Sequence, residues 1–252
     1  MYPHSLLWHY LWIAPHVLQV AIVIIMIRRR LVREFPVFLT YTLFQIVMGG
    51  TLFVLDHIEA VSARQYLDVV WVETTGSIVL RFALIYEIFN RIFEPYPGLA
   101  ELGRLLFRWG VVVLLLVAVA LVARAPTDTT PLASGIHIAN SAVSLMQSGL
   151  LVFLFLFSSY FGLSWRNYVY GIAAGLGVFS SVSLATTALR IGTGAAAASY
   201  SLDFVTMATY HCCVLIWLVY LLAPETARGS VKHLPDNNLE QWNTEMQRLL
   251  LR

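Results

Sequence analysis

Glu73, Arg81 and Glu87 all fall within one apolar stretch, Tyr66 to Glu94, that is long enough to cross a bilayer. A charged side chain in hydrocarbon costs at least ~2.5 kcal/mol, so such groups turn inward, find partners and mark sites. Two histidines, His16 and His211, lie at a similar depth in the first and last apolar runs, with Gln19 one turn beyond His16. Gln147 and Ser183 reach that depth from two further runs. Imidazole and carboxylate groups gathered there could bind a proton or a small polar ligand, because a change of buried charge alters the balance between packings and histidine titrates near neutral pH. The candidate ligand-binding residues are therefore His16, Gln19, Glu73, Gln147, Ser183 and His211, and the charged intramembrane residues are Arg81, Glu87 and Asp203. Arg81 lies near the inner boundary, where its simplest placement is snorkelling or a pair with Glu87 or a group on the second run.

Several chemistries can be weighed against these residues. Covalent retinal is excluded, because it needs a lysine on the last span and the single lysine, Lys232, is in the tail. His16, Glu73 and His211 could supply a two-histidine, one-carboxylate metal set, or the histidines could hold haem from facing helices. No two histidines occur at the helical spacing of a metal pair, and Met207 and Leu215 stand where the last-helix HxxxH of seven-helix zinc hydrolases would require histidine. No GxSxG motif supports a serine hydrolase. Transport suits a polar midplane, but transporter sites sit at broken helices, and Pro15 beside His16 is the one proline inside a run.

The elements that must position these groups are set by composition. The 252 residues are 59% hydrophobic and 12% charged, with mean hydropathy +0.74, against about 25% charged in a soluble domain. That describes a polytopic membrane protein. Apolar runs lie at roughly 6–27, 36–55, 66–89, 107–123, 135–158, 168–190 and 200–222. Arg28, Arg29, Arg30, Arg33, Arg91, Arg104, Arg108, Arg166, Arg228 and Lys232 collect on one side, so the positive-inside rule puts the N-terminus outside and the C-terminus in the cytoplasm. The first run ends in arginines instead of a small-residue cleavage site, as a membrane helix and not a removable signal would. Trp8, Tyr10 and Trp12 read as an aromatic belt at headgroup depth. A net charge of +2 gives no reason to expect a nucleic-acid partner, and adjacent Cys212 and Cys213 point about 100° apart on a helix and read as packing residues.

Polar stripes recur at three- and four-residue spacing: His137, Asn140, Ser141, Ser144, Gln147 and Ser148 on the fifth run; Ser180, Ser183, Thr187 and Arg190 on the sixth; Asp203, Thr206 and Tyr210 on the seventh. In lipid such stripes must meet one another, as interhelical hydrogen bonds or around a polar core. Gly49 and Gly50 on the second run, and Gly171, Gly175 and Gly177 on the sixth, read as sites of close helix approach. Leu67-Asp68 echoes Leu202-Asp203, and Phe35 and Phe38 echo Trp165 and Tyr168, as a three-plus-linker-plus-three repeat would. After Pro235 and Asp236, Leu239, Trp242, Met246 and Leu249 recur at helical spacing and predict a short amphipathic helix that lies on the bilayer or docks a membrane or cytoplasmic protein.

Trp71-Val72-Glu73, Tyr86-Glu87-Ile88-Phe89 and Pro95-Tyr96-Pro97 resemble uncharacterised bacterial seven-helix membrane proteins over about a quarter of the chain. The resemblance implies a bacterial inner membrane and lends no function. The resulting expectation is an all-α, seven-helix membrane domain over residues 1–223 and a cytoplasmic tail over 224–252. The function that fits it is a sensory or regulatory module, without enzymatic activity of its own, that binds a small ligand or proton. The alternatives are a subunit of a larger membrane complex, a haem- or metal-binding membrane protein, and a small-solute transporter.

Overall fold

The computed structural model describes residues 5–58, 61–93, 140, 143–145, 147–149, 152, 168–193 and 199–223. The fourth apolar run, most of the fifth, and the tail with its expected amphipathic helix lie outside the described residues. The described residues form helices α1 (Leu6–Arg28), α2 (Pro36–Asp56), α3 (Ala63–Phe93), α4 (Tyr168–Thr193) and α5 (Ser199–Leu222), with a single 3-10 turn at Leu31–Arg33. No strand occurs among them. All five helices are long and apolar enough to cross a membrane. The described positions between 140 and 152 are also helical.

The helices pack as a ring: α1 between α5 and α2, then α3 on α2, α4 on α3, and α5 back on α4. Large apolar side chains such as Val17, Val79 and Val219 face outward and are exposed, as suits a surface that meets hydrocarbon. Inside, Phe38, Tyr41 and Trp217 belong to the bundle's core, with the Phe38 and Trp217 rings edge-on at 5.3 Å.

Polar contacts lock one end of the ring. Arg29, just past α1, donates from Nη1 to the Tyr168 hydroxyl at 3.0 Å and the Ala223 carbonyl at 2.9 Å, and from Nη2 to the Leu222 carbonyl at 2.9 Å. A cation on the last carbonyls of α5 satisfies acceptors the helix leaves open and complements its dipole. Arg91 reaches the Glu34 carbonyl at 2.9 Å from the end of α3 and lies over the Phe35 ring. The C-terminal ends of α1, α3 and α5 and the N-terminal ends of α2 and α4 therefore share one end of the bundle.

Glu87 belongs to this end as well. The N-cap position of α2, Phe35, makes no side-chain capping bond, and Glu87 of α3 supplies it, accepting the Val37 N–H at 2.9 Å and the Phe38 N–H at 3.0 Å. This corrects the expected Arg81–Glu87 pair: the carboxylate caps a helix, and Arg81 finds other partners.

The three aromatic residues at the start of α1 differ in their surroundings. Trp8 is 8% exposed and stacks on Tyr200 at 5.2 Å, and Trp12 meets Phe53 edge-on at 5.5 Å, whereas Tyr10, at 55%, does face outward.

Candidate functional site

The chemistry begins on α3. Glu73, Ser77 and Arg81 follow at four-residue spacing and stand on one stripe. Ser77 Oγ donates to Glu73 Oε1 at 2.9 Å, and Thr74 Oγ1 donates to Oε2 at 3.3 Å. Gln45 of α2 donates to Ser77 Oγ at 2.7 Å, which carries the network onto the next helix. Arg81 is 5% exposed; its Nε donates to the Ser77 carbonyl at 3.4 Å and its Nη2 to Asn140 Oδ1. It is buried inward and does not snorkel.

A second network joins α1 to α5. His16 Nδ1 bonds Gln19 Oε1 at 3.0 Å, and Gln19 Nε2 donates to the Tyr210 hydroxyl at 2.6 Å. Tyr41 of α2 lines the same cavity as Tyr210. Gln19 is 0% exposed, and its amide bridges His16 and Tyr210. With Nδ1 donating to an amide oxygen, the neutral His16 ring keeps Nε2 as an acceptor.

The two networks face a common cavity of about 360 Å³, near the lower end of the ~300–1,000 Å³ usual for small-molecule sites. His16 and Trp12 of α1, Tyr41 and Gln45 of α2, and Glu73, Ser77 and Arg81 of α3 form one side. Among the described residues, Asn140, then Phe179 and Ser183 of α4, and Thr206, Met207 and Tyr210 of α5, line the other side. Pro15, which has no N–H for the Leu11 carbonyl one turn earlier, lines it together with Leu11, while α1 continues unbroken.

No family model, curated protein or solved structure matches the chain. What the site can do rests on its own groups. A buried guanidinium, a carboxylate and an imidazole around one cavity can hold a small polar molecule by charge-assisted hydrogen bonds, with aromatic surface for an apolar part.

Of the residues singled out from the sequence, His16, Glu73, Ser183 and Arg81 line this cavity, and Gln19 positions its histidine and tyrosine. His211 does not join them. It lines a separate groove on the outer side of α1 and α5 with Tyr10, Ile13 and Val17, its ring 5.5 Å from that of Tyr10. His16, Glu73 and His211 are thus not brought together as a metal set, and among the described residues no three His, Cys, Asp or Glu side chains converge in that way. Gln147 acts between helices, its Oε1 accepting from Ser180 Oγ of α4, and the neighbouring Ser148 hydroxyl meets Ser181 at 3.1 Å. Asp203 is half-buried near the start of α5, one turn before Thr206.

Tyr41, Ser77 and Thr74 also line the cavity, and the sequence carries a signal for them. Tyr41, Gln45 and Gly49 on α2 have the same four-residue spacing as Glu73, Ser77 and Arg81 on α3, so extending the stripe from each charged or amide residue would have found them.

Gly49 has a specific task. A Cβ built there would lie 2.2 Å from His16 Nε2, whereas one at Gly50 meets nothing. Gly49→Ala is expected to drive the imidazole off its bond to Gln19 and lower stability by about 1–2 kcal/mol, read as a fall in melting temperature in detergent. Gly50→Ala, with open space and better helix propensity, should lose nothing.

Proposed function

We propose that the chain is a sensory or regulatory module of the bacterial inner membrane, with a polar cavity inside a seven-helix bundle that binds a small ligand and changes packing on binding. The observation that carries this reading is the convergence of His16, Glu73 and Arg81 with polar groups of all five described helices on one cavity of about 360 Å³. Interhelical glue alone would leave such groups packed against one another. Here the two networks face a shared space.

The seven-helix count is supported by parity. α3 ends and α4 begins at the same end of the bundle, as Arg91 and the Arg29–Tyr168 bond show. The sequence between them contains two apolar runs, at roughly 107–123 and 135–158, and one crossing out and one back would fit those ends. That end also collects Arg28, Arg29, Arg30, Arg33 and Arg91, which supports placing it in the cytoplasm with the tail after residue 223. The bacterial inner membrane rests on the resemblance of the motifs around Glu73, Glu87 and Pro95.

Access to the cavity tests the reading. With Cys212 and Cys213 replaced by alanine, Ser183→Cys on the cavity wall is expected to react in native membranes with a small water-soluble thiol reagent. Val205→Cys, on an exposed face of α5, should stay inert in lipid. An inert Ser183→Cys in folded protein would mean a closed structural core and end the ligand-binding proposal.

A further inference from the structure

The geometry points to a zwitterion as the ligand, a small amino acid whose ammonium faces Glu73, whose carboxylate faces Arg81 and whose apolar side chain lies against the aromatic wall. This deepens the ligand-binding proposal and rests on it. Glu73 and Arg81 carry opposite charges on the same stripe of α3, and among the described residues neither forms an ion pair. Ser77 stands between them, its hydroxyl on the carboxylate and its carbonyl on the guanidinium. Among the described residues every hydrogen-bond partner of the two is neutral: hydroxyls for Glu73, a carbonyl and the Asn140 amide oxygen for Arg81. Both also line the cavity.

Arg81 is buried and Glu73 half-buried; with neutral hydrogen-bond partners each stays open to a charged one, and the two together present a fixed dipole. An anion alone would answer Arg81 and meet the Glu73 charge. A cation alone would do the reverse. A molecule carrying both charges a few bonds apart satisfies both, while Trp12, Phe179 and Met207 offer surface for an aliphatic or aromatic group. The cavity's volume suits a molecule of that size better than a lipid.

The experiment is calorimetric titration of detergent-purified protein with a panel of natural amino acids. Leucine is then compared with the amine that lacks its carboxylate, 3-methylbutylamine, and the acid that lacks its ammonium, 4-methylpentanoate. A panel member is expected to bind, with both single-charge analogues at least tenfold weaker. Arg81→Gln should then erase the preference over the amine, and Glu73→Gln the preference over the acid. Equal binding of the acid makes this an anion site and overturns the proposal, as does equal binding of the amine. If either variant fails to fold, protection of Ser183→Cys from the thiol reagent by the amino acid, but not by its analogues, supplies the same answer with Glu73 and Arg81 in place. Reactive Ser183→Cys with no amino acid binding rejects the ligand class alone, whereas an inert Ser183→Cys removes the cavity reading itself.

Discussion

Glu87→Leu is expected to destabilise the bundle by about 3 kcal/mol, because two backbone donors, the N–H groups of Val37 and Phe38, lose their only side-chain cap at the start of α2. Phe38 is fully buried, so water cannot easily replace the lost acceptor. Pro36 at the first helical position sets the φ angle for the turn but offers no acceptor. Glu87→Gln keeps one carbonyl oxygen and should cost roughly half as much, about 1.5 kcal/mol. Thermal melting in a fixed detergent measures both. Equal melting temperatures for the leucine variant and the parent would show that α2 does not depend on a carboxylate from α3.

Gly175→Ala should have a comparable effect through packing. The added Cβ would fall 2.2 Å from Trp217 Nε1 and 2.9 Å from its Cε2. The indole has no room to yield: Trp217 is 1% exposed, donates to the Ile172 carbonyl at 3.2 Å and meets Phe38, Tyr41 and Tyr210 edge-on. Overpacking at a rigid site costs about 1–3 kcal/mol, and loss of the indole hydrogen bond adds about 1 kcal/mol. Moving Trp217 also disturbs Tyr41 and Tyr210, both on the cavity wall, so the variant should weaken ligand binding as well as stability. Gly50→Ala is the control. If the two alanine variants melt alike, close approach of α4 and α5 at Gly175 is not what the bundle needs.

Much of this arrangement could be read from residue types alone, and the reason is the solvent. Lipid forces backbone bonds within each segment and polar side chains to the interior, so apolar runs gave helix positions and polar spacing gave faces. The run at 168–190 became Tyr168–Thr193 and that at 36–55 became Pro36–Asp56. The run at 66–89 grew to Ala63–Phe93, since a helix continues past the hydrocarbon through Arg64, Gln65 and Arg91. The stripe of Thr206 and Tyr210 did face inward and line the cavity.

Depth was legible where rotation about the helix axis was overlooked. His211 shares the depth of His16, yet it follows Tyr210 by one residue and therefore points about 100° away, onto the groove beside Tyr10. The same rule separates Arg81 from Glu87, six residues apart and so on different faces, while Glu73, Ser77 and Arg81 stay on one. Nothing in the spacing of α3 could show that Glu87 caps a different helix, because that depends on where the chain returns after Arg29. Nor could the residue pattern show that Gln147 meets Ser180 and not the cavity.

Arg81, Glu73 and His16 border one shared cavity inside the bundle. A density map of the protein in lipid nanodiscs tests it most directly. The account predicts the Arg81 guanidinium turned inward against Ser77 and Asn140, with Glu73 and His16 bordering a cavity that holds ordered solvent or a small molecule. An Arg81 side chain extended to the headgroups, or apolar side chains packed through the space between α1 and α3, would contradict it.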